Sequence, residues 1–303
     1  MSLIQRLVSF LLETRVPPHL EPQVKELPMS SLYAVMMKPI GPLLGVIFYL
    51  TLVNKWELRN AQRAAKMAAE KPSDKPAGNN SKGLQKLIIV HNLVLAVYSL
   101  WTFVDFFPAV LRNIQQAGFK NGFCDVEWTL RGGKLLMHGF LFYLSKYYEF
   151  IDTMIILAKG RQATTLQTFH HSGAVVIMWM GNFVHSPYLA FFVFENSIIH
   201  TLMYIYYSLT AMGYKPPGKQ MLTCLQISQF YIALSAGAVY SVLPGCQSNE
   251  QKLFTYVFIG YIIMLIVLFT QFARKTYGQK AAAAAAATAA TKSTKAAPEK
   301  RLQ

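Results

Sequence analysis

The sequence predicts an all-α protein, a polytopic membrane protein whose seven transmembrane helices form one bundle. Three observations carry the prediction. Seven apolar stretches approach the twenty residues needed to cross about 30 Å of hydrocarbon: 33–53, 87–111, 135–158, 166–184, 187–211, 220–243 and 253–273. Of the 303 residues, 53% are hydrophobic and 14% charged, with mean hydropathy +0.29, which fits a lipid-embedded chain better than a soluble domain. Polar residues within the stretches recur at helical spacing, and a backbone in lipid must satisfy its own hydrogen bonds, so helices follow.

Each element can be justified in order. Residues 1–16 are apolar in stretches but carry Arg6 and Arg15 and lack a small-residue cleavage site. They read as an amphipathic helix in the membrane interface, within a lumenal amino-terminal segment, 1–32. After the first span comes a polar loop, 56–83, rich in Ala, Lys, Pro and Asn, with the sequon Asn79-Asn80-Ser81. The second span, 87–111, follows, and the third holds Lys146, Glu149 and Asp152. The fourth is interrupted by His170 and His171, and the fifth is polar along one side. The sixth and seventh complete a membrane domain over 33–275. Residues 276–303, with the alanine run Ala281–Ala287, read as a disordered cytosolic tail. Its end, Lys300-Arg301-Leu302-Gln303, resembles a basic retrieval signal for the endoplasmic reticulum.

Charge orients the bundle. Eight Lys/Arg lie between the first two spans, two each in the next two loops on that side, and seven follow Phe272; nineteen thus face one side and eight the other. The positive-inside rule places the amino terminus in the lumen and the carboxyl terminus in the cytosol. A basic cytosolic face beside anionic lipid or a polyanionic substrate accounts for the net charge of +15, with no need for nucleic acid. Of three cysteines, Cys124 and Cys246 fall in lumenal loops, where an oxidising milieu permits a disulfide. Cys224 falls in the sixth span and is expected to be a small buried residue. None neighbours the acidic cluster, which argues against a cysteine nucleophile.

Charge inside lipid is expensive and usually faces a bundle interior or a wet cavity. Lys146, Glu149 and Asp152 stand three apart, within about a 120° arc of one helix. Gln167, His170 and His171 follow at i, i+3 and i+4. Asn196, His200, Met203, Tyr204 and Tyr207 form one stripe on the fifth span, and Thr223, Gln226 and Gln229 another on the sixth. A lone buried histidine is more often a hydrogen-bonded core residue than a catalyst, and an acid–base trio can be a structural ion pair. Four consecutive helices with polar stripes are most economically arranged around one enclosed polar chamber.

In order and spacing, the blocks Lys146-Tyr-Tyr-Glu149-Phe-Ile-Asp152-Thr153, Gln167-Thr-Phe-His170-His171, Asn196-Ser-Ile-Ile-His200-Thr-Leu-Met-Tyr204-Ile-Tyr206-Tyr207 and Thr223-Cys-Leu-Gln226-Ile-Ser-Gln229-Phe230 resemble the signature blocks of the ELO family of very-long-chain fatty acid elongases. The resemblance covers roughly residues 30–275. It implies seven helices, six of them enclosing an acyl tunnel, in the endoplasmic reticulum membrane. The implied reaction condenses acyl-CoA with malonyl-CoA to 3-oxoacyl-CoA, carbon dioxide and CoA, with no metal and no cofactor. The reductases and dehydratase of the elongation cycle are the implied partners, and a homodimer is left open. His170 would be the nucleophile, assisted by His200, with His171, Asn196, Gln167, Tyr204 and Tyr207 as donors. Lys146, Glu149 and Asp152 would tune the histidines or hold the helices. A Cys124–Cys246 disulfide is also implied. The family's usual box is His-x-x-His-His; Gln167 in first place resembles the subset acting on polyunsaturated C18 or C20 chains.

Two other readings share parts of the pattern. A membrane di-iron desaturase or hydroxylase needs about eight histidine ligands. This chain has seven histidines in all, and His19 and His185 lie away from the stripes. A seven-helix receptor or transporter shares the topology but gives no reason for the stripes to converge.

Overall fold

The computed structural model describes residues 3–70 and 81–278, which are helical throughout apart from turns and connections; no strand occurs among the described residues. The amino-terminal part forms α1 (Leu3–Leu12), the short α2 (Glu21–Lys25) and α3 (Ser30–Met36). α3 straddles the predicted boundary at residue 32 and buries Tyr33 against Phe140, ring centroids 4.9 Å apart. The predicted first span is not one straight helix: α3 and α4 (Ile40–Glu70) meet at 81°. Pro39 lies in the break, lacking a backbone donor and disfavouring helical geometry in the residue before it.

α4 also corrects the predicted loop. Residues 56–70 are helical, because a run rich in Ala, Lys, Glu and Arg has high helix propensity. The extension is docked as well: Asn60 Nδ2 donates to Leu157 O at 2.9 Å, and Ala163 N–H donates to Glu57 Oε1 at 2.8 Å. Lys82 and Gly83 of that loop already belong to the next helix, and residues 71–80, with Asn79 and Asn80 of the sequon, lie outside the described residues. So does the predicted tail beyond Gly278, with Ala281–Ala287 and the terminal Lys300–Gln303.

α5 (Lys82–Cys124) outruns the predicted 87–111 and is broken at Gly118, whose φ of 78° folds the last turn back. Asn113 Nδ2 then donates to Gly122 O at 2.9 Å. α6 (Lys134–Tyr148), α7 (Phe150–Ala158), α8 (Thr165–Phe183), α9 (Tyr188–Ala211), α10 (Lys219–Val242) and α11 (Asn249–Ala273) occupy the other five predicted stretches. By length and composition α5, α9, α10 and α11 can cross a membrane, and the bent α3–α4 pair makes a fifth. Among the described residues the count is therefore four or five, against the seven predicted. The shortfall falls on α6–α7 and α8. Lys146, Glu149 and Asp152 interrupt the first, and His170 and His171 dilute the second.

α5 lies along α9, α10 packs on α9 and α11, and α6 packs on α8. The core between them is aromatic, with Phe140, Tyr143, Tyr188, Phe254 and Phe258 fully buried. Asp105 clamps α5 to α6, accepting from Lys134 Nζ at 2.6 Å and His138 Nε2 at 2.7 Å. Cys224 is exposed on α10 rather than buried as expected. Its neighbour Thr223 takes the inward side, and the next residue is turned about 100° away.

Cys124 and Cys246 are disulfide-bonded, joining the end of α5 to the loop before α11 across 122 residues of chain. The same corner is held by Asp125, which accepts from the Leu130 and Arg131 backbone N–H groups at 2.9 and 2.8 Å. Closing so long a loop is worth about 4 kcal/mol in the chain-entropy treatment, so replacing both cysteines with serine should lower the Tm by roughly 10 °C. Thermal melting of the purified double variant checks this. An unchanged Tm would mean that Asp125 and its partners hold the corner unaided.

Candidate active site

The spacing of Lys146, Glu149 and Asp152 predicts one charged face, but the structure divides it at the one-residue junction between α6 and α7. Lys146 Nζ donates to Glu149 Oε1 at 2.7 Å and to Asn196 Oδ1 at 3.5 Å. His200 Nδ1 stands 3.7 Å from the same glutamate oxygen. Lys146 and Glu149 are each only 3% exposed, so neither charge could stand without the other. Lys146 Nζ also lies 4.0 Å from the centre of the Phe142 ring. Asp152 turns elsewhere. Its Oδ1 accepts from His91 Nε2 at 2.9 Å and its Oδ2 from Tyr204 Oη at 2.8 Å, tying α7 to α5 and α9.

Thr164 caps α8, its Oγ1 accepting from the Gln167 N–H at 3.2 Å, and so fixes the first turn from which the histidine box projects. His170 Nδ1 lies 3.1 Å from Tyr261 Oη of α11. The His171 ring is 5.5 Å from that of His170 and 6.3 Å from that of Tyr49. On α10, Gln226 Nε2 donates to Met203 Sδ at 3.2 Å, and Thr223 Oγ1 pairs with Tyr277 Oη at 3.0 Å. Gln229 is buried, and its Nε2 has no hydrogen-bond partner among the described residues.

These side chains surround a cavity of about 660 Å³. Glu149, Asp152, Gln167, His170, His171, Asn196, His200, Tyr204, Tyr207, Gln226 and Gln229 all line it. Lys146 does not line it; it stands behind, against Glu149 and Asn196. The wall comes from α5, α7, α8, α9, α10 and α11, whereas α4 packs outside on α7 and α8. Lys159 and Arg161, from the α7–α8 turn, and Lys219, at the start of α10, add three cations to the lining. Two residues escaped the sequence reading. His91 belongs to none of the polar stripes read from the sequence, and Tyr261 has no polar neighbour at helical spacing. Among the described residues no three His, Cys, Asp or Glu side chains converge as metal ligands.

Chemically, the cavity offers imidazole nucleophiles or bases, amide and phenol donors for a developing oxyanion, and cations for an anionic substrate. The sequence profile described as ELO: GNS1/SUR4 family matches residues 34–285. The chain is 31% identical to very long chain fatty acid elongase 5 of Xenopus laevis over 209 residues, which are 66% of this chain and 68% of the relative. Against very long chain fatty acid elongase 5 of Homo sapiens it is 32% identical over 205 residues, 65% of this chain and 66% of the relative. Fatty acid elongase 2 of Trypanosoma cruzi is 28% identical over 207 residues, 63% of this chain and 74% of the relative. A profile match spanning most of the chain, over the same helices that enclose this cavity, means that the chain belongs to the ELO family and is a fatty acid elongase of the membrane.

Proposed function

We propose that the chain condenses a polyunsaturated C18 or C20 acyl-CoA with malonyl-CoA through an acyl-imidazole on His170. The observation that carries this reading is the convergence of His170, His171, His200 and Asn196, from two different helices, on one lined cavity. An imidazole nitrogen of His170 attacks the thioester carbonyl carbon, the C–S bond breaks, and CoA leaves as a thiolate that takes a proton from solvent. Malonyl-CoA loses carbon dioxide, and the electron pair of the broken C–C bond forms an enolate. The enolate carbon attacks the acyl carbonyl, and the C–N bond to His170 breaks to release 3-oxoacyl-CoA and the neutral imidazole. Asn196 and His200 would donate to the oxygens on which charge develops. Lys159, Arg161 and Lys219 suit the CoA phosphates. No cofactor enters the scheme. The reading includes residence in the endoplasmic reticulum with the amino terminus lumenal, beside the reductases and dehydratase that complete the two-carbon cycle.

Purified protein given labelled malonyl-CoA and separate C16 to C22 acyl-CoAs tests the proposal. Label should enter 3-oxoacyl-CoA, fastest with polyunsaturated C18 or C20 chains. Absence of labelled product with every acyl-CoA would overturn the reaction, and preference for saturated chains would overturn the substrate class.

A further inference from the structure

The geometry points to Tyr261 of α11 as the positioning residue that holds His170 with its proton on Nδ1 and an open lone pair on Nε2. This inference rests on the assignment of His170 as nucleophile. A phenol carries a single proton. Tyr261 Oη lies 2.9 Å from the His170 carbonyl oxygen, which can only accept, and 3.1 Å from His170 Nδ1. Were the phenol proton directed at Nδ1, two oxygens would face each other at 2.9 Å with no hydrogen between them. Both contacts are satisfied when Oη donates to the carbonyl and accepts from Nδ1–H. The ring nitrogen bonded in this way sets the tautomer, and Nε2 is then unprotonated. No described side chain bonds Nε2, and His170 lines the cavity.

The surroundings keep Tyr261 in place. Its ring stacks on Phe169, centroids 5.6 Å apart and planes 27° from parallel. Gly173, three residues beyond His170 on α8, leaves the space the ring occupies: a Cβ there would collide with Tyr261 Cε2. His200 differs: its Nδ1 stands 3.7 Å from Glu149 Oε1, beyond hydrogen-bond reach. As Nε2 of His170 bonds to the acyl carbon and the thiolate departs, the positive charge left on the ring is stabilised through Nδ1–H on Tyr261 Oη. The same proton remains on Nδ1 when the enolate displaces the ring, so no proton need cross the chamber.

Tyr261→Phe removes one oxygen and keeps the ring. Loss of a hydrogen bond to a group that gains charge typically costs about 10–100-fold, so acyl-adduct formation, followed by rapid quench and intact mass, should slow by that factor while the KM for acyl-CoA holds. Histidine-selective ¹⁵N labelling, with His170 assigned by difference against His170→Ala, reads the tautomer without any activity. Wild-type protein should show Nδ1 protonated and Nε2 of pyridine type. Tyr261→Phe and Gly173→Ala should both shift population towards Nε2–H. A wild-type spectrum with Nε2 protonated overturns the inference even if every variant misfolds, and so does a Tyr261→Phe protein with unaltered rate and spectrum. Product formation by His170→Ala would instead refute the nucleophile, a separate outcome.

Discussion

His170→Ala is expected to yield a folded, membrane-inserted protein in which condensation falls by at least about 10⁴-fold, as when a covalent nucleophile is removed. The fold should survive for local reasons. His170 is interior to α8, where alanine is the better helix former, and the cavity can admit water in place of the ring. Tyr261 is not orphaned, because its hydroxyl still donates to the backbone carbonyl of residue 170. Single-turnover assays with labelled malonyl-CoA measure the loss, and the circular dichroism melting curve should stay within a few degrees of wild type. An active variant would move the nucleophile elsewhere, with His200 the next side chain to replace.

Lys146→Met has the second large expected effect, on stability as well as rate. Methionine leaves the Glu149 carboxylate buried beside His200 with its cation gone. Breaking a buried pair from one side costs roughly 3–5 kcal/mol, which should lower the Tm by about 10 °C or more. Adding Glu149→Gln removes the stranded charge, and the double variant should recover most of the lost stability. Activity should not return with it, because His200 Nδ1 has lost the carboxylate that faces it at 3.7 Å. This cycle separates holding the helices from serving the reaction, two roles that spacing alone cannot distinguish. Full recovery of both stability and rate would reduce the pair to a brace between α6–α7 and α9.

The sequence carried the stripes but not their partners. Asn196, His200 and Tyr204 were legible as one inward face because helical periodicity is a property of the chain itself. That Asp152 reaches His91 and Tyr204 rather than joining Lys146 depends on how α5 and α9 lie against α7, and no local spacing encodes it. Tyr261 was invisible for the same reason: a tyrosine among isoleucines and phenylalanines acquires meaning only once α11 is laid on α8. The helical extension of α4 was hidden because residues 56–83 were read as one loop from their Ala, Lys, Pro and Asn, although the prolines all lie beyond residue 70 and the alanines and Lys66 before it favour a helix. Cys224 failed differently. It lies in a span, but an apolar span in a bundle has an outside, and membership alone does not say which way a side chain points.

The outward setting of Cys224 makes the chain easy to instrument. With the other two thiols joined to each other, a maleimide fluorophore or nitroxide will attach at a single address on the periphery of α10. Thr223 beside it bonds Tyr277 and lines the cavity. A reporter at that address can register substrate arrival without intruding on the reaction space.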